Sequence, residues 1–195
     1  VPSHALANVV LPYAGRRRVA EDLYQLLAGA KAAFEREGVA VVGGHSSEGP
    51  EMAAGFFVSG TVARGEVLAK GGLRPGDRLI LTRPLGTGIL FAAHMRGRAG
   101  AHAIDAALTT MRRSNGRSAR AMRSFGPTAA TDVTGFGLAG HLLEMLRGAG
   151  VAAELDLARI PLYPSVLALA EAGIVSSLLP ENGRLATSVA ELSAP

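Results

Sequence analysis

The run Thr131-Asp132-Val133-Thr134-Gly135-Phe136-Gly137, followed closely by His141, gathers residue types able to do chemistry together. Asp132 offers a carboxylate beside two hydroxyls, Thr131 and Thr134, and Gly135 and Gly137 open an apolar helix through Leu142, Leu143, Met145 and Leu146. A hard cation such as Mg²⁺ takes carboxylate oxygens and fills its remaining positions with waters and phosphate oxygens. Glycine lets backbone amides approach an anion, and a helix N-terminus favours negative charge. The pattern suits a metal-and-phosphate turn with Asp132 as candidate ligand. One Asp does not complete such a site, so other carboxylates must lie elsewhere. The same pattern also reads as a plain helix cap, with Asp132 accepting from first-turn amides.

A second candidate is Gly43-Gly44-His45-Ser46-Ser47-Glu48-Gly49, which follows the Val-rich run 39–42. Its glycines permit close backbone approach, and Ser46 and Ser47 bring hydroxyl and amide donors. A phosphate or nucleotide loop is one reading and an ordinary glycine-rich connection the other; neither the Walker nor the dinucleotide pattern is matched. In Pro84-Leu85-Gly86-Thr87-Gly88, Thr87 falls where an N-cap is expected. His141 reads as packed and hydrogen-bonded, and Asn115 as a polar contact. His4, His94 and His102 lack metal-ligand spacing, and no Ser/His/Asp arrangement is recognisable.

These residues need elements to position them. Apolar runs at 5–11, 39–42 and 52–62 predict strands, with Gly43-Gly44 ending the second. Val19, Leu23, Leu26, Leu27, Ala30 and Phe34 share one face of a helix over 19–37 that ends near Gly38. Arg16-Arg17-Arg18 before it reads as a solvated helix start. The glycine- and proline-rich stretch 64–76 predicts a boundary, dividing the chain into domains 1–64 and 77–195. Beyond it, strands are expected at 79–81, 128–132 and 151–155, and helices at 101–123, 136–148 and 163–172. The last twenty or so residues lack periodicity and are expected on the surface. Alternation of the two element types predicts an α+β, α/β-layered fold.

Composition bounds the function. Of 195 residues, 48% are hydrophobic and 18% charged, which fits a globular chain. The net charge of +4 suits an anionic ligand and is too small and scattered to argue for nucleic acid. Absence of cysteine excludes disulfides and thiolate metal sites. No apolar run approaches membrane-spanning length and no leader opens the chain, so no membrane partner and a cytoplasmic location are expected. The opening Val1-Pro2-Ser3-His4, without an initiator Met, reads as the start of a fragment.

Together the segments resemble the selenophosphate synthetase (selenide, water dikinase) family of the aminoimidazole ribonucleotide synthetase-like superfamily. The resemblance is carried, in family order, by Ala5-Leu-Ala to Pro12, Leu23 to Gly29, Gly43-Gly-His-Ser46, Pro75 to Thr82, Pro84 to Gly88, and Thr131 to Leu138 with Gly140-His-Leu142 and Glu144-Met145. It covers residues 5 to about 184. Ser47-Glu48-Gly49 and Leu179-Pro-Glu-Asn182 are similar to the version fused behind a flavin-type oxidoreductase domain. The resemblance implies a two-domain fold with an incomplete N-terminal domain, a homodimer with ATP at its cleft, and synthesis of selenophosphate from selenide and ATP with release of AMP and phosphate. It implies Mg²⁺ at Asp132, and nucleotide contacts from Gly43, Gly44, His45 and Ser46. The family's reactive Cys or selenocysteine, its Lys and further metal-binding Asp residues would precede Val1, and a glycine-rich segment would follow Pro195. No catalytic residue is therefore expected within this chain, and the chain alone is expected to be inactive. Two other readings stand beside this one: another ATP-dependent enzyme of the superfamily, and a non-catalytic dimerisation or nucleotide-binding module.

Overall fold

The computed structural model describes residues 1–184, which form two compact units, Val1–Val67 and the portion from Leu68 onward. The architecture is α+β.

The first unit is a three-stranded sheet with one helix. Strand β1 (Pro2–Pro12) lies centrally, parallel to β2 (Ala40–Gly49) and antiparallel to β3 (Ala53–Gly60). Ala5, Ala7, Val9 and Leu11 alternate along β1 and are buried, the period of two that puts one set of side chains on one face. Helix α1 (Arg16–Glu35) packs Phe34 edge-on against Phe56 of β3, ring centres 5.4 Å apart. Gly38, at φ 70°, follows the helix end. On the opposite face Leu6 pairs with Phe57, and both are exposed. Arg18 donates to Asp22 at 2.8 Å across one helical turn, so the basic run is a solvated helix start.

The expected stop at Gly43-Gly44 does not occur: β2 runs through both glycines to Gly49. Gly44 faces the β1 backbone so closely that a Cβ would strike the Ala7 carbonyl oxygen. Glycine inside a strand often marks such an approach.

The second unit is mainly helical: α2 (Thr87–Met95), α3 (Ala101–Met111), α4 (Gly116–Ser124), α5 (Gly137–Ala149), α6 (Val166–Glu171) and α7 (Leu179–Asn182). Leu90, Ala103, Ile104, Ala107, Tyr163 and Val166 form its main core. The expected long helix over 101–123 is two helices, interrupted at residues 112–115, where the Ser114 hydroxyl accepts from the Gly116 N–H at 2.8 Å. Thr87 is the first helical residue of α2 rather than its cap, and Gly86 occupies the cap position. The expected strands at 79–81, 128–132 and 151–155 are not strands. Residues 128–130 make one ladder-like bond, Ala130 N–H to the Ala69 carbonyl at 3.1 Å, and Ile80 is exposed. Part of the expected surface run of the last twenty residues lies outside the described residues.

Asp77 ties two of these extended segments together. Its Oδ2 accepts from the Thr128 hydroxyl at 2.6 Å and from the Arg74 N–H at 2.8 Å, and these bonds, Thr128 first, hold its pKa below the usual value. The unfolded state therefore binds a proton more readily than the folded state. The stabilisation is complete above the unfolded carboxyl pKa of about 3.9 and is lost as pH falls through the lower folded value. Urea melts should show wild type more stable than Asp77→Asn at pH 6, with the difference shrinking below about pH 4. A difference unchanged down to pH 2 would show that the ionised carboxylate does not matter.

Candidate functional site

Asp132 lies on an exposed turn ahead of α5. Neither flanking hydroxyl bonds its carboxylate. Thr131 Oγ1 donates to the Asp132 backbone carbonyl at 3.2 Å, and Thr134 Oγ1 lies 3.0 Å from His141 Nε2. Among the described residues the Asp132 carboxylate has no hydrogen-bond or ion-pair partner, so both oxygens are available to a ligand. The capping alternative is not realised: the N-cap of α5 is Phe136, and no side chain caps that end. The first turn of α5 carries no acid of its own to face the positive end of the helix dipole.

Helix α5 owes its place to an apolar stripe. His141 and Leu142 are buried together with Met145 one turn further on, which sets the inner face. Gly150, at φ 67°, closes the helix with Val151 N–H bonded to the Leu146 carbonyl. Lys70 Nζ reaches both Glu144 carboxylate oxygens at 2.9 Å on the outer face. His141 is packed and hydrogen-bonded, with its ring 5.9 Å from that of Phe136.

No group of three or more His, Asp or Glu side chains is gathered for a metal among the described residues. Mg²⁺ is commonly held by only one or two carboxylates with water and substrate phosphates. Asp132, exposed and without a partner among the described residues, fits that role as one ligand of a nucleotide-borne Mg²⁺, not as a protein-only cage. Gly43, Gly44, His45 and Ser46 belong to the first unit, in β2, where His45 pairs with Asn8 and Ser46 with Val9. They are exposed strand residues rather than a loop.

Sequence reasoning did not foresee the contacts around the turn. Asn182 Nδ2 donates to the Gly135 carbonyl at 3.0 Å, and a Cβ on Gly135 would lie 2.6 Å from Leu178 Cδ1. In the sequence, Leu179-Pro-Glu-Asn182 stands out only by its similarity to the fused version of the family.

The family model described as AIR synthase related protein, C-terminal domain, matches residues 74–186. A protein of Myxococcus xanthus named selenide, water dikinase is 46% identical over 156 residues, 78% of this chain and 44% of that protein. Proteins of the same name from Nitratidesulfovibrio vulgaris and Geobacter metallireducens are 44% and 41% identical, over 78% of this chain and 44% and 45% of their own lengths. The chain thus spans less than half the length of these curated relatives. It belongs to the AIR synthase related family, and within that family it is similar to the selenide, water dikinases.

Proposed function

We propose that the chain supplies part of the nucleotide and metal site of a selenide, water dikinase, an enzyme that makes selenophosphate from selenide and ATP with release of AMP and phosphate. The observation that carries this reading is the Asp132 turn: an exposed carboxylate without a partner among the described residues, set before a helix end that none of their side chains caps. Asp132 would hold Mg²⁺, which supplies positive charge against the phosphates. The α5 N-terminus lends further positive potential to the same anion. Gly43, Gly44, His45 and Ser46 would contact the nucleotide, and the division into a nucleotide-binding and dimerisation domain at 1–64 and an AIR synthase-like domain at 77–195 follows the same reading. No described helix is long and apolar enough to cross a membrane. A cytoplasmic location and a fused oxidoreductase domain belong to this proposal.

The test is AMP release from ATP by the full-length enzyme containing this chain, with and without selenide. Selenide-dependent AMP is expected there, and none from the 195-residue chain alone. Nucleotide binding without turnover in the full-length protein would favour the non-catalytic module instead.

The homodimer is proposed through residues 1–62. Its support is the sheet face bearing Leu6 and Phe57, the latter 68% exposed, together with strand edges able to pair. Light scattering at micromolar concentration should give a dimer, and Phe57→Lys should shift it toward monomer. A wild-type monomer under those conditions counts against the interface.

A further inference from the structure

The turn that carries Asp132 is held from both sides by side chains outside it. His141 is 7% exposed, and its Nε2 lies 3.1 Å from the Thr134 backbone nitrogen and 3.0 Å from Thr134 Oγ1. A backbone N–H can only donate, so Nε2 is the unprotonated nitrogen and the ring is neutral with its hydrogen on Nδ1. Nδ1 is itself buried without a hydrogen-bond partner among the described residues. An unpartnered buried donor is destabilising, and an apolar side chain of similar shape would remove that burden. Packing alone therefore does not account for histidine at this position, whereas the acceptor at Nε2 does.

The turn needs such fixing. Gly135 and Gly137, the latter at φ 67°, stand between Asp132 and the body of α5 and give the backbone freedom there. Asn182 takes the Gly135 carbonyl while His141 takes the Thr134 N–H. We infer that His141 is a positioning residue, a neutral imidazole that fixes the Asp132 turn through the Thr134 N–H, with Asn182 as its counterpart at Gly135. This rests on the reading of Asp132 as a metal-and-phosphate ligand. His141 touches neither; it acts by keeping the carboxylate in one place, and a ligand misplaced by a fraction of its contact distance loses much of its effect.

Two measurements test it. In ¹⁵N NMR of the chain, His141 should show the Nδ1–H tautomer, and the Thr134 amide should exchange slowly with solvent. His141→Leu should speed that exchange, and His141→Gln, whose Oε1 can stand near the Nε2 position, should restore it. An Nε2–H tautomer, or Thr134 exchange unchanged in His141→Leu, overturns the contact. In the full-length enzyme His141→Leu should lower kcat about 10–100-fold, as outer-shell partners do, with most of it recovered in His141→Gln. If His141→Leu does not fold, the wild-type tautomer and His141→Gln carry the test. Full activity in His141→Leu beside a dead Asp132→Ala refutes the positioning role alone. Full activity in Asp132→Ala removes the site reading and the positioning role with it, while Thr134 exchange still reports the bond.

Discussion

Asp132→Ala in the full-length enzyme should cut selenide-dependent ATP turnover on the order of a hundredfold or more, with the fold intact. The size follows from what the carboxylate is proposed to do. Removing a ligand of a hard cation leaves phosphate charge uncompensated where charge builds up in the transition state. Stability should barely move. Asp132 is exposed, its carboxylate has no partner among the described residues, and α5 begins five residues later with Phe136 as its N-cap and no side-chain cap. Substitutions at such positions usually stay within about 0.5 kcal/mol. A lost N-cap would instead cost about 1 kcal/mol and spare activity. Thermal melts and turnover assays on the same protein separate the two. A lowered melting temperature with near-normal turnover would make Asp132 a cap and remove the metal reading.

The parts of the fold legible in the sequence are those whose partners are close along the chain or whose pattern is regular. The apolar run 5–11 closed by Pro12 announces β1, and the stripe ending at Phe34 announces α1. The end of α5 is legible to within two residues, at Gly148 or Gly150, and the left-handed residue is Gly150. Apolar runs alone mislead in the second unit. Leu79-Ile80-Leu81 has strand-like side chains, but a strand exists only where a ladder partner runs beside it, and the described sheet contains only β1, β2 and β3. Helix periodicity over 101–123 hid a break whose signal was present: Ser114-Asn115-Gly116 is a turn sequence, and Ser114 serves the new helix start. At the site, the turn and its acid were readable because they are contiguous. Asn182 was not, since it reaches Gly135 across 47 residues with no periodic trace of the contact. The tautomer of His141 was not either, because it depends on which nitrogen meets the Thr134 N–H.

Gly86→Ala should destabilise the second unit by about 2–4 kcal/mol, from two independent causes. Gly86 has φ 112°, a left-handed conformation that side chains with a Cβ rarely adopt. A Cβ there would also lie 2.5 and 2.6 Å from the Val166 methyls. Val166 cannot readily give way. It is buried in the core with Leu90, Ile104 and Tyr163, and its branched Cβ leaves little rotamer freedom. The backbones on either side are fixed as well: Leu85 N–H bonds the Pro161 carbonyl at 2.9 Å, and Tyr163 N–H bonds the Leu85 carbonyl at 3.0 Å. Gly100→Ala is the comparison, a helix N-cap glycine at φ −70° with nothing within 4 Å of its Cβ position, and it should cost only the weakened N-cap, about 1 kcal/mol. Adding Val166→Ala to Gly86→Ala removes the clash but not the backbone strain, so the double substitution should show favourable coupling that offsets part of its summed single costs. Equal midpoints for Gly86→Ala and Gly100→Ala in urea would mean that neither strain nor contact at Gly86 holds α2 against α6.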